Sequence, residues 1–221
     1  MKYKAVIFDM DGLILDTEII ESRSFEKLLN EYGIKAELYE NGLLHKIGGA
    51  VEAKTYYENF KKQYNLPIDA DIVRDKKRAY WQKMVEEEEI KAFPGFIELI
   101  ALLQENKLII ALASNRNETF LHLVLEKLKV KHHFRTIVGP AEGRRGKPYP
   151  DIYLHTAKEI GVKPEECIVL EDTDVGIISA KDAGMKAIAI PNIYTKDHNF
   201  ARADIVVGSL REVTLELLKK L

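Results

Sequence analysis

The chain has one cysteine, Cys167, among 221 residues. No disulfide can form within it, and the apolar run Cys167-Ile168-Val169-Leu170 marks that thiol as a buried structural one suited to a reducing compartment. It has no excess of charge of either sign: the formal net charge is -2, which removes the electrostatic reason to expect nucleic acid or an anionic membrane surface as partner. No stretch approaches the roughly 18 consecutive apolar residues that span a bilayer. No basic segment followed by an apolar one opens the sequence, so a cytoplasmic, soluble protein without a leader is expected. The six histidines show no spacing that would form a zinc site. The mixed, charged composition makes a monomer the expected state.

What is present is enough apolar sequence for a full core. At 46% hydrophobic residues, a chain of this length can fold without disulfide or metal staples. Ala5-Val6-Ile7-Phe8 reads as a buried strand. After Asp16-Thr17 the pattern turns helical: Ile20, Phe25, Leu28, Leu29 and Tyr32 share one face, and Ala53, Tyr56, Tyr57, Phe60 and Tyr64 form an aromatic stripe whose expected role is core packing. A third helix, from about Asp69 to Glu88, carries Ile72, Val73, Tyr80, Trp81 and Met84. It ends in the solvated acidic run Glu86 to Glu89.

The β pattern resumes after Phe93-Pro94-Gly95. Helices near residues 95–105, 118–128, 150–160 and 175–183 then alternate with strands near 108–113, 136–138, 167–170 and 186–190. A last strand spans Ile205 to Val207, before a terminal helix. This alternation predicts an α/β fold: a doubly wound parallel sheet with helices on both faces and an all-helical domain inserted in it. The expected division is 1–16 and 92–221 for the sheet domain and 17–91 for the insert.

Open parallel sheets bind ligands at the carboxyl ends of their strands, so the polar loops there are the candidate site. Asp9 and Asp11, one residue apart after the first strand, can point to one side and serve a metal or a phosphoryl group. A turn role beside Gly12 competes. Ser114-Asn115-Arg116 offers a hydroxyl and an amide before a helix whose amino terminus attracts anions, although such residues also start helices. Lys147 lies in Gly146-Lys147-Pro148, just ahead of a helix beginning at Pro150-Asp151. Arg144 and Arg145 read better as solvated loop residues. Glu171 and Asp172 end a strand as adjacent carboxylates, an arrangement that a hard cation such as Mg²⁺ relieves. Helix capping by Thr173 or Asp174 explains the rest of that loop.

With these four segments in order, the chain resembles the haloacid dehalogenase superfamily, in its phosphatase and phosphomutase branch with a helical cap. The motifs are Asp9-Met10-Asp11-Gly12 with Asp16-Thr17, then Ser114-Asn115, Lys147, and Glu171-Asp172, and the match covers essentially the whole chain. The resemblance implies a Rossmann-like core and a small phosphorylated metabolite as substrate. It implies Asp9 as nucleophile, forming an aspartyl phosphate, and Asp11 as general acid and base. Ser114 and Lys147 would hold the phosphoryl oxygens, with Asn115 beside them. Mg²⁺ would be held by Asp9, the Asp11 carbonyl and Asp172, with Glu171 acting through water or one layer out.

The insert would then be a cap, hinged near Leu13–Asp16 and Glu89–Phe93. Glu18, Glu21 and the loop Leu43–Gly49 are its candidates for contact with the leaving group. Mutases of the β-phosphoglucomutase type carry a histidine where this chain has Glu21, and an arginine where it has Val51 and Glu52. An acidic group there disfavours a second phosphate, so hydrolysis is expected ahead of the mutase alternative. Dehalogenation has no use for Asp11 or the metal carboxylates. A Schiff-base lysine, Lys46 or Lys54, would mark phosphonate cleavage. A non-catalytic phosphometabolite-binding regulator would lack a catalytic residue, and none is missing.

Overall fold

The apolar run Ala5–Phe8 forms strand β1, all four residues of which are buried. It pairs in parallel on both sides: Ile7 lies opposite Ala111 of β2 (Ile109–Ala113) and opposite Val169 of β4 (Cys167–Glu171). A strand covered on both edges and both faces has no solvent side, which is why its sequence does not alternate. Strands β3 (Thr136–Val138), β5 (Lys186–Ala189) and β6 (Ile205–Val206) complete a six-stranded parallel sheet in the order β3-β2-β1-β4-β5-β6. The chain moves outward from β1 to β3, returns to place β4 beside β1, and moves outward again. That reversal creates a topological switch point at the carboxyl ends of β1 and β4, where doubly wound sheets bind ligands.

The computed structural model describes residues 2–38, 53–87 and 90–221. They fall into two units, Met1–Asp16 with Ile90–Leu221, and Thr17–Glu89. Within the first unit, α4 (Phe96–Glu105), α5 (Glu118–Lys127), α6 (Asp151–Glu159), α7 (Asp174–Asp182) and α8 (Leu215–Lys220) are the helices that connect or follow the strands. Small residues let helices approach the sheet closely: Ala5, Ala111, Ala113, Ala187 and Ala189 from strands meet Ala157, Ala180 and Tyr153 from helices in one buried cluster. The α7 cap is Thr173, which accepts from Gly176 N at 3.1 Å; Asp174 is the first helical residue. The two chain passages flanking the insert are joined inside this unit, where Phe93 N donates to Ile14 O at 2.7 Å and Leu15 bridges Ala92.

The second unit is helical: α1 (Thr17–Glu31), α2 (Ala53–Gln63) and α3 (Ala70–Glu87). The aromatic stripe of α2 packs as core. Phe60 is buried, its ring centroid 4.2 Å from that of Phe25 and 4.8 Å from Tyr64, and Leu28, Leu29, Leu38, Leu66 and Val73 surround them. The phase of α3 differs from the sequence expectation. Ile72 is exposed, and the buried stripe is Ala70, Val73, Lys77, Trp81 and Val85. A charged residue occupies that stripe because its ammonium group has a partner, the Glu21 carboxylate of α1, and lies 5.4 Å from the Phe25 ring centroid. Among the described residues no helix is long and apolar enough to cross a membrane.

Candidate active site at the switch point

Sheet register alone aligns the principal groups. Phe8 is level with both Leu112 and Leu170, so the next residues, Asp9, Ala113 and Glu171, leave their strands side by side. Asp9 N donates to Leu170 O at 3.0 Å, and Ser114 N donates to Val138 O at 3.1 Å, which keeps the ladder intact up to the site. Beyond Asp9 the chain turns at once: Ile14 N reaches back to Met10 O at 2.9 Å, and Gly12 adopts φ 77°. A β-carbon at Gly12 would lie 2.3 Å from Asp172 Oδ2, so glycine is required both by the dihedral and by the closeness of the β4 loop.

Lys147 is the hub. Its side chain is 5% exposed, and Nζ donates to Asp9 Oδ1 at 2.5 Å, to Glu171 Oε1 at 2.6 Å and to the Ala113 carbonyl at 2.9 Å. Three acceptors saturate the three ammonium protons. Asn115 fixes the backbone that delivers this lysine: its Oδ1 accepts from Lys147 N at 3.0 Å and its Nδ2 donates to Lys147 O at 3.3 Å. Asn115 therefore acts on the loop that carries Lys147.

Glu171 has both oxygens occupied. Oε1 also accepts from Tyr153 OH at 2.9 Å, and Oε2 accepts from Asp172 N, Thr173 N and Thr173 Oγ1 at 3.1, 3.2 and 2.9 Å. Asp172 differs: Oδ2 accepts from Asn192 Nδ2 at 2.9 Å, whereas Oδ1 is buried with no hydrogen-bond partner among the described residues. Asp11 meets Arg116 Nε at 3.1 Å and Ser114 Oγ at 3.4 Å, so the second aspartate and the serine hydroxyl converge on one side.

Burial pushes the Asp9 carboxyl up to about 7 even against the pull of Lys147, with Glu171 and Asp11 adding to the rise. Burial likewise raises Asp172 well above the carboxylate range, followed by repulsion from Glu171 and Asp9. Burial works against the Lys147 ammonium too, but Asp9 and Glu171 outweigh it and hold its proton well above the usual lysine range. The site thus gathers Asp9, Asp11, Glu171 and Asp172 against the cations Lys147 and Arg116. With all four carboxyls ionised the imbalance is negative, a repulsion that adds to burial in raising Asp9 and Asp172, and carboxylate oxygens of Asp9, Glu171 and Asp172 lie within 4.8 Å of one another. An all-oxygen donor set with one unpartnered buried oxygen suits a hard divalent cation. Because Glu171 is already saturated, Asp9 and Asp172 are the carboxylates able to give an oxygen to it.

The remaining sequence candidates lie in the helical unit. Glu18 and Glu21 are partly buried on α1 and close enough to Tyr56 that, after burial, Glu21 and then Glu18 help raise its hydroxyl's pKa. Lys54 is exposed on α2. The loop Leu43–Gly49, with Lys46, lies outside the described residues. Four contributors escaped sequence reasoning: Tyr153, which reads as an apolar member of α6; Arg116, whose place directly after Ser114-Asn115 was the only hint; Gly176; and Asn192. The signal for Asn192 was its position in the loop after β5, a strand-end loop whose polar residues had no assigned role.

A doubly wound parallel sheet that collects carboxylates, a lysine and a hydroxyl at its switch point defines a Rossmann-like α/β enzyme. The family follows from comparison: residues 6–190 match the haloacid dehalogenase-like hydrolases, and the chain belongs to that family. Hexitol phosphatase B of Escherichia coli (strain K12) is 30% identical over 211 residues, covering 95% of this chain and 94% of the relative. Beta-phosphoglucomutase of Bacillus subtilis (strain 168) is 30% identical over 217 residues, covering 97% and 93%. The bifunctional riboflavin kinase/FMN phosphatase of Arabidopsis thaliana is 32% identical over 218 residues, and this chain spans 54% of its length. The solved structure of CbbY from Rhodobacter sphaeroides in complex with phosphate superimposes with a TM-score of 0.84 at 25% identity, covering 98% of this chain and 99% of that one.

Proposed function

We propose that the chain is a Mg²⁺-dependent phosphatase that hydrolyses a small phosphorylated metabolite through an aspartyl phosphate on Asp9. The observation that carries this reading is the Asp9 carboxylate itself: it is 7% exposed, fixed by Lys147 at 2.5 Å, and placed at the switch point beside Asp172. The family relationship supports it, as do relatives named hexitol phosphatase and FMN phosphatase.

In the first half-reaction an Asp9 oxygen attacks phosphorus in line, the bond to the leaving oxygen breaks, and Asp11 gives that oxygen its proton. In the second, Asp11 takes a proton from water, the water oxygen attacks the same phosphorus, and the bond to Asp9 breaks to release phosphate. Ser114 would hold a phosphoryl oxygen through both halves, while Lys147, its three protons taken by Asp9, Glu171 and the Ala113 carbonyl, fixes the nucleophile and places its positive charge beside the phosphoryl group. Asp9 and Asp172, with the Asp11 carbonyl, would hold Mg²⁺, which supplies neutralisation of the phosphoryl charge. Acid-base catalysis contributes only about 10²- to 10⁴-fold, so charge stabilisation and positioning by Lys147 and its neighbours must carry the larger share.

Glu18 and Glu21 are the proposed readers of the leaving group. The similarity to a β-phosphoglucomutase makes the mutase the competing reading. An acidic Glu21 paired to Lys77 gives a second phosphate no free cation in that pair, which favours hydrolysis. Phosphate release from a panel of sugar phosphates, polyol phosphates, phosphoglycolate-like acids and nucleotides, with Mg²⁺ and with chelator, tests the choice. The phosphatase reading expects metal-dependent release from at least one class. Isomer interconversion without release would favour the mutase.

A further inference from the structure

Asn192 lies in the loop after β5, far in sequence from the groups already assigned, yet it touches two of their loops. Its Nδ2 donates to Asp172 Oδ2 at 2.9 Å and to the Gly12 carbonyl at 3.0 Å. Its Oδ1 accepts from Tyr194 N at 2.8 Å and Thr195 N at 3.2 Å, and its own N donates to Thr195 Oγ1 at 3.0 Å. Both amide protons and both lone pairs are used, so the amide has one orientation: a flipped Asn192 would face oxygen to oxygen and N–H to N–H. The loop's backbone thereby dictates that a donor, and not an acceptor, points at Asp172.

That donor has a specific consequence. Of the two Asp172 oxygens, Asn192 takes Oδ2 and leaves Oδ1, which is buried and has no hydrogen-bond partner among the described residues. Meanwhile the second proton pins the carbonyl of the residue that follows Asp11, and the Gly12 α-carbon is so close that an added β-carbon would lie 2.6 Å from Asn192 Nδ2. One side chain therefore ties the turn after β1 to the loop after β4.

We infer that Asn192 is a positioning residue for the divalent cation: it orients Asp172 so that Oδ1 is presented to the metal and holds the Gly12 turn beside it. This rests on the reading that Asp9 and Asp172 hold that cation. Hydrogen-bond partners of metal-ligating carboxylates typically govern affinity by about 10- to 100-fold, and loss of Asn192 is expected to fall in that range.

The test uses Mn²⁺ as the probe, its binding to the full chain followed by electron paramagnetic resonance, together with thermal unfolding of the metal-free protein. Asn192→Ala is compared with wild type and with Ile193→Ala, a change at an exposed position of the same loop. The expected result is a Kd for Mn²⁺ weakened at least about 10-fold in Asn192→Ala and unchanged in Ile193→Ala, with phosphatase activity restored toward wild type by excess metal. If Asn192→Ala does not fold, Asn192→Ser serves: its hydroxyl can still accept from the Tyr194 N–H, and it is too short to reach both Asp172 and Gly12. The same weakening is expected. A lowered unfolding temperature with an unchanged Kd would show a merely structural residue and overturn the inference. Failure of wild type to bind Mn²⁺ would instead overturn the metal reading on which it stands.

Discussion

Lys147 and Glu171 form a buried pair, Nζ to Oε1 at 2.6 Å, with side chains 5% and 1% exposed. The pair is positioned by an absence: a β-carbon on Gly176 of α7 would lie 1.8 Å from Glu171 Oε1. The helix can pass this close to the carboxylate only where there is no side chain. Glu171 in turn holds the ammonium group that reaches Asp9.

Gly176→Ala therefore displaces Glu171 and, through it, Lys147. A shift of about 1 Å in a reacting group costs on the order of 100-fold in rate. Steady-state kinetics should show kcat falling by about that factor while the far-ultraviolet circular dichroism spectrum keeps its helical signature.

Tyr153→Phe removes the hydroxyl that donates to Glu171 Oε1 at 2.9 Å and leaves the ring's packing in place. A buried hydrogen bond to a charged group contributes about 1.5–3 kcal/mol. Urea denaturation should show a loss in that range, with an unchanged m-value.

The metal should matter more at higher pH. Asp9, raised to about 7, and Asp172, raised well above its ordinary value, bind protons more tightly folded than unfolded. In the metal-free protein their contribution to stability is fully present below the unfolded carboxylate pKa of about 4; the Asp9 part is lost as pH rises through about 7, and the Asp172 part as pH rises through its own raised range. A divalent cation competes with those protons, so the rise in unfolding temperature caused by Mg²⁺ should grow from about pH 5 to about pH 8. A rise that does not vary with pH would contradict this assignment of the metal carboxylates.

In the helical unit, Lys77→Ala removes a buried partner of the Glu21 carboxylate, beside the Phe25 ring. Breaking one half of a buried pair costs about 3–5 kcal/mol. The double change Lys77→Met with Glu21→Leu should recover much of that loss, because it removes both charges together. Chemical denaturation of the two single variants and the double variant measures the coupling.

The parts of the fold legible in the sequence are those that local pattern controls. The continuous apolar run of Ala5–Phe8, the alternation of helix and strand, and the polar residues closing each strand predict a parallel sheet with Asp9, Ser114, Lys147, Glu171 and Asp172 at its carboxyl ends. The register then brings these together. Less legible were contributions set by packing between distant segments. Tyr153 meets Glu171 only because α6, packed on β2 and β3, brings its hydroxyl to the end of β4, and Asn192 reaches Asp172 only because β5 lies beside β4. On α3 the apolar residues Ile72 and Tyr80 drew the predicted face away from Lys77, since periodicity cannot see that a lysine has a carboxylate waiting on α1.

On the proposed mechanism Asp9 is phosphorylated during each turnover. The most direct test is acid quenching of the Mg²⁺-loaded enzyme during hydrolysis of an accepted phosphate ester, followed by peptide mass spectrometry, in wild type and Asp9→Asn. Wild type should carry a phosphoryl adduct on the peptide containing Asp9, and the variant should show neither adduct nor turnover. Turnover by Asp9→Asn at the wild-type rate, or an adduct mapping elsewhere, would contradict the mechanism.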